Sequence, residues 1–138
     1  MKHFLTPVSA LIVWTFVMWA LMYARRIPAM NNITRNTQKF IEDPKLWEKM
    51  PNKATWAADN YNHLHEQPVI FYALMFFLFL TQQADSIHGY MAWGYVAIRV
   101  VHSLVQVTTN AVLVRFSLFA LGSLLLIIMT LRSVAALF

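Results

Sequence analysis

Residues 60–68 read NYNHLHEQP and run directly into VIFYALMFFLFL at 69–80. A carboxylate and two histidines therefore stand at the threshold of one of the most lipid-like segments in the chain. An ionisable group at membrane depth costs at least about 2.5 kcal/mol on insertion scales, so it calls for a partner, a cavity or a polar ligand. Whether this stretch opens an inert span or a polar interior decides how the whole fold is read.

Composition sets the surroundings. Of 138 residues, 59% are hydrophobic and only 12% charged, and the mean hydropathy is +0.50, outside the range of soluble domains. The chain has no cysteine, which excludes disulfides, thiolate metal sites and a cysteine nucleophile; any thiol chemistry needs a borrowed thiol. A spanning helix requires about 20 mainly apolar residues, and four windows meet that demand, at about 4–23, 57–81, 87–108 and 111–131. They predict an all-α membrane protein, a single domain built as a four-transmembrane-helix bundle. The apolar runs lack the period-two alternation of strands, and an open sheet leaves its backbone unsatisfied in lipid. The first window is longer than a signal-peptide core and has no small-x-small site after it, so it is expected to stay as a span.

A polar segment at about 26–55 separates the first two windows. Within it, Asp43-Pro44-Lys45-Leu46-Trp47-Glu48 offers a capping carboxylate followed by proline at the first helical position, the pattern of a short surface helix. Arg25, Arg26, Arg35, Lys39, Lys45, Lys49 and Lys53 all follow the first window, whereas TQQADSIHG at 81–89 carries no lysine or arginine. The positive-inside rule makes the first loop cytoplasmic and, with four spans, puts both termini on the other side. This basic charge orients the chain and meets anionic lipid; it does not point to nucleic acid.

Taken as one continuous helix, the second window places Asp59, Asn62, His63 and Glu66 at i, i+3, i+4 and i+7, a single polar stripe. His65 lies off that face, so HLH is not a pair of ligands. The third window repeats the arrangement with Arg99, His102, Ser103, Gln106 and Asn110. The fourth adds Arg115, with Gly122 two turns on. At about 1.5 Å per residue, Glu66 and Arg99 each lie roughly 14 Å from the cytoplasmic ends of their helices and Arg115 about 6 to 8 Å in. The expectation is one polar cavity reached by Glu66, Arg99 and Arg115, with His63 and His102 at its edge; the plainer alternative is internal pairing that only holds the helices together. His63, Glu66 and His102 are chemically able to ligate a metal but form a weak pattern, read here as hydrogen-bonding partners with no metal.

A Glu-bearing stripe on the second helix, Arg99-Val-Val-His102 on the third, a single early arginine on the fourth and the segment EQPVIFYAL together resemble the MAPEG family, the membrane-associated proteins in eicosanoid and glutathione metabolism, in its bacterial form. The resemblance runs over nearly the whole chain. It implies a homotrimer in the bacterial inner membrane, glutathione held between subunits near the cytoplasmic face, and hydrophobic small-molecule substrates arriving through the membrane lipid. The Arg-x-x-His is similar to that of the family's prostaglandin E synthases, and Arg115 stands where their thiolate-stabilising arginine does. Glu66, His63, Asn62, Asp59, Arg99, His102, Gln106 and Arg25 take the cofactor-binding positions. Three departures bear on function: where relatives place arginine, asparagine and tyrosine, this chain has Asp59, His63 and Gln106. The implied activity is a glutathione-dependent transferase or peroxidase for lipophilic electrophiles. The alternative is a non-catalytic lipid-binding scaffold or an accessory subunit of a larger membrane complex, since some members bind without catalysis.

Overall fold

The computed structural model describes residues 3–137. Among these, every regular element is helical: α1 (Thr6–Ile33), α2 (Lys39–Glu42), a 3-10 helix (Pro44–Lys49), α3 (Asn52–His63), α4 (Gln67–Leu80), α5 (Ser86–Thr108) and α6 (Val112–Ala135). Three segments are long and apolar enough to cross a membrane, Thr6–Ile33, Asn52–Leu80 and Val112–Ala135. α5 is 23 residues long, but Arg99, His102, Ser103 and Gln106 lower its apolarity, and all four are buried inside the protein.

α1 packs on α3 and α5, α5 runs along α6, and α4 touches α6. Leu11, Phe71, Met75, Leu78, Ala92, Tyr95 and Met129 are fully buried between them. Ile12, Phe16, Phe76, Trp93, Leu113 and Ile127 are exposed on the outside, an inversion that suits a surround of lipid or of neighbouring apolar protein surface.

Two boundaries differ from those expected. α1 does not end at residue 23 but runs on through Arg25, Arg26 and Pro28 to Ile33, 28 residues in all. At about 1.5 Å per residue it is about 42 Å long and outruns a hydrocarbon core of about 30 Å. The expected loop is therefore largely helical. Its anticipated cap is present: Asp43 accepts a bond from the Lys45 N–H at 3.2 Å at the start of the 3-10 helix. Trp47 donates its indole N–H to the Phe40 carbonyl at 3.0 Å and packs on the Phe40 ring, which is buried.

The second expected span is not one helix. α3 stops at His63, the next three residues turn, and α4 begins at Gln67. Pro68 accounts for the interruption, because it has no N–H to offer the Leu64 carbonyl and its ring crowds that carbonyl. The turn closes with tighter bonds instead, from His65 N–H to Asn62 O at 2.9 Å and from Glu66 N–H to His63 O at 3.4 Å. Glu66 itself, at φ −94° and ψ −97°, stands outside the helix.

Candidate functional site

This break rearranges the expected polar stripe. Glu66 does not turn inward toward Arg99 and Arg115; its side chain is 65% exposed and sits 2.7 Å from His63 Nδ1. The residue facing the interior is Gln67. Its Oε1 accepts from the Arg99 guanidinium and from the Tyr95 hydroxyl, the latter at 3.3 Å. Its Nε2 donates to Ser123 Oγ at 2.5 Å, and Ser123 donates in turn to the Phe119 carbonyl. One side chain thereby joins α4, α5 and α6.

Arg99 is 2% exposed and has no carboxylate partner among the described residues. Its Nε donates to Tyr95 Oη at 3.0 Å, and its guanidinium lies 5.4 Å from the Tyr95 ring centroid and 5.5 Å from that of Phe119. Neutral acceptors and ring faces thus hold a buried cation where an acid was expected. Gly122 lies against this knot: a Cβ there would sit in ordinary contact with Tyr95 Cε2 at 3.4 Å and Gln67 Oε1 at 3.6 Å.

One turn away, His63, His102, Val112, Arg115, Phe116 and Phe119 line a cleft of about 280 Å³. The His63 ring stacks on Phe119 and lies 4.9 Å from the His102 ring, centroid to centroid. Arg115 is placed by the turn between α5 and α6. Asn110 adopts φ 52°, its N–H caps the Val105 carbonyl at 2.8 Å, and its Oδ1 accepts from Arg115 Nη1 at 2.5 Å. The Arg115 Nε–H is buried and has no partner in the protein. Arg115 is the one fixed cation among the residues lining the cleft, and a guanidinium beside the apolar walls of Val112, Phe116 and Phe119 favours an anion there, because those walls keep the dielectric low.

The other anticipated residues lie elsewhere. Gln106 is buried with its Oε1 unpartnered. Arg25 donates to the Val107 carbonyl at 2.8 Å and the Lys53 carbonyl at 3.4 Å, so it closes the C-terminal end of α5, where a cation suits the helix dipole. Asp59 and Asn62 line a different cavity with Arg26 and Trp47. The single site read from the stripe is thus three: the Arg115 cleft, the Arg99–Gln67 knot and the Asp59 cavity. Gln67, Tyr95, Phe116 and Phe119 were not anticipated. Tyr95 and Phe119 carry a signal, four residues from Arg99 and Arg115 on the same helical faces; Gln67 is legible only once Pro68 is taken as a break.

The MAPEG family model matches residues 4–135. No curated protein and no solved structure matches the chain.

Proposed function

Because the chain belongs to the MAPEG family, we propose that this integral membrane protein is a glutathione-dependent transferase or peroxidase acting on lipophilic electrophiles, with Arg115 stabilising the thiolate. The observation that carries the reading is Arg115, the one fixed cation lining a cleft otherwise walled by His63, His102, Val112, Phe116 and Phe119. Those residues fit the sulfur end of the tripeptide: one fixed cation in an apolar setting lowers a thiol pKa by favouring its charged form. Glutathione supplies the nucleophilic sulfur that the cysteine-free chain lacks. Asn110 holds the guanidinium, His63 and His102 form the polar rim, and Phe116 and Phe119 offer the surface for an apolar substrate.

Val112 and Phe116 are exposed on the single chain, which favours closure of the cleft by a neighbouring subunit in a homotrimer. Arg25 and Arg99 are both engaged within the chain, so the tripeptide's carboxylates fall to groups brought by that neighbour. A fourth pass by α5, a cytoplasmic first loop and termini on the opposite side of a bacterial inner membrane complete the reading. The competing function is a non-catalytic lipid-binding scaffold or accessory subunit. It is favoured by the ties of Glu66 to His63 and of Arg99 to Gln67, which leave fewer groups for a ligand.

Calorimetry and single-turnover kinetics separate the two. A transferase binds glutathione, shows thiolate absorbance, and loses about 10²- to 10³-fold in turnover on Arg115→Leu with the oligomer intact. Absence of glutathione binding at millimolar concentration by the wild type assigns the scaffold role.

A further inference from the structure

A second cavity, of about 240 Å³, shares no residue with the Arg115 cleft; Arg26, Trp47, Thr55, Ala58, Asp59 and Asn62 are among its walls. The Arg26 guanidinium lies over the Trp47 ring, 4.8 Å from its centroid. Among the described residues neither Arg26 nor Asp59 enters an ion pair, with each other or with any other group. One cation and one anion therefore face the same space without touching. Water solvates either charge alone, but two opposite charges held apart across a cavity complement a ligand that carries both.

The chemistry of the two ends differs. The Trp47 ring covers one side of the Arg26 guanidinium, and the N–H donors of a guanidinium suit a planar or tetrahedral oxyanion. Asp59 only accepts hydrogen bonds when ionised, so its counterpart is a donor, a primary ammonium. Thr55 and Asn62 add neutral hydrogen-bonding groups between them, and Ala58 leaves space.

Depth selects the source of such a ligand. Arg26 lies about 30 Å along α1 from Thr6, one hydrocarbon thickness, at the level where indole rings and phospholipid head groups meet. Tyr23 and Ile27, on the same helix, are exposed and give acyl chains an apolar flank. We propose that this cavity binds the head group of an aminophospholipid, its phosphate on Arg26 and its primary ammonium on Asp59. The cavity shares no residue with the Arg115 cleft, although Asp59 and Asn62 stand at positions that the family resemblance gives to the cofactor, and its test has no turnover step.

Full-length protein in mild detergent, offered equal amounts of phosphatidylethanolamine, phosphatidylcholine and phosphatidylglycerol, is read by native mass spectrometry. The expected result is about tenfold preference for phosphatidylethanolamine, the worth of one charge-assisted contact, because the choline ammonium has no N–H and the glycerol head no cation. Arg26→Gln should abolish that retention. Asp59→Asn should leave phosphate binding and erase the discrimination against phosphatidylglycerol. Equal retention of the three lipids by the wild type, or an unchanged preference in Asp59→Asn, overturns the proposal. Calorimetry with O-phosphoethanolamine separates the sources: weak binding supports the lipid, and binding as tight as the lipid's reassigns the cavity to a soluble zwitterion. Arg26→Lys, which keeps the charge, should retain part of the preference and guards against a loss due only to misfolding.

Discussion

Asn110 serves the backbone and the cleft at once, and the two roles separate by substitution. Glycine adopts the left-handed conformation of that turn without strain, so Asn110→Gly should keep the fold while releasing Arg115 from its Oδ1 anchor. Thermal stability should change little, and glutathione turnover should fall about tenfold, the worth of one hydrogen bond in the barrier. Asn110→Leu should lose stability as well, by about 1 to 2 kcal/mol, because a branched residue resists positive φ. Gln67 makes a sharper case. Gln67→Leu removes the acceptor from a buried guanidinium, and stranding that charge should cost about 3 to 5 kcal/mol, measured as SDS-induced unfolding. Gln67→Glu keeps an acceptor and should remain folded.

Helix ends decide much of the rest. Asp85 begins α5 by accepting the His88 N–H at 2.8 Å, and Arg132 near the end of α6 grips the same carboxylate with two bonds, at 2.5 and 3.0 Å. Hydrogen bonding from Arg132 holds the Asp85 carboxyl well below the usual carboxylate range. A carboxyl whose pKa is depressed by folding stabilises the fold above its unfolded value, about 3.9, and loses that contribution as pH falls through the folded value. Melting temperature should therefore be insensitive to this pair between pH 7 and 5 and decline below about pH 4; in Asp85→Asn the acid-side decline should be shallower, as scanning calorimetry in detergent will show. Periodicity made the buried face of α5 legible, with Arg99, His102, Ser103 and Gln106 all buried, because it holds wherever a helix is unbroken; His102 and Arg115 line one cleft. Periodicity misassigned Glu66 because Pro68 resets the helical phase between His63 and Gln67, turning a carboxylate outward and an amide inward. The surroundings of Arg25 and Asp59 were not legible, because a helix that runs on past the apolar window, and a 3-10 helix whose Trp47 meets its Arg26, leave no hydropathic trace.

The whole molecule presents apolar side chains outward and gathers its polar groups within, so its orientation rests on loop charge. Seven of the eleven Lys and Arg residues fall between Arg25 and Lys53, and Arg99 and Arg115 lie in the cytoplasmic halves of their helices in the proposed topology. Reporter fusions at both termini should report the non-cytoplasmic compartment; a reporter active only in the cytoplasm refutes the four-pass arrangement. Native mass spectrometry of the same preparation should give three copies per complex. The interruption at residues 64–66 also reaches beyond the protein. α4 has 14 residues and is about 21 Å long, well short of a hydrocarbon core of about 30 Å, and α3 continues it with Asp59 and Asn62 exposed. Where the α4 flank meets lipid it offers a shorter apolar wall than the α1 flank, and a leaflet there thins to match it, a hydrophobic mismatch costing fractions of a kcal/mol per Å. Acyl-chain length thus becomes a variable of the protein's stability: short-chain bilayers relieve the mismatch, and thick ones press on the turn that carries His63 and Glu66.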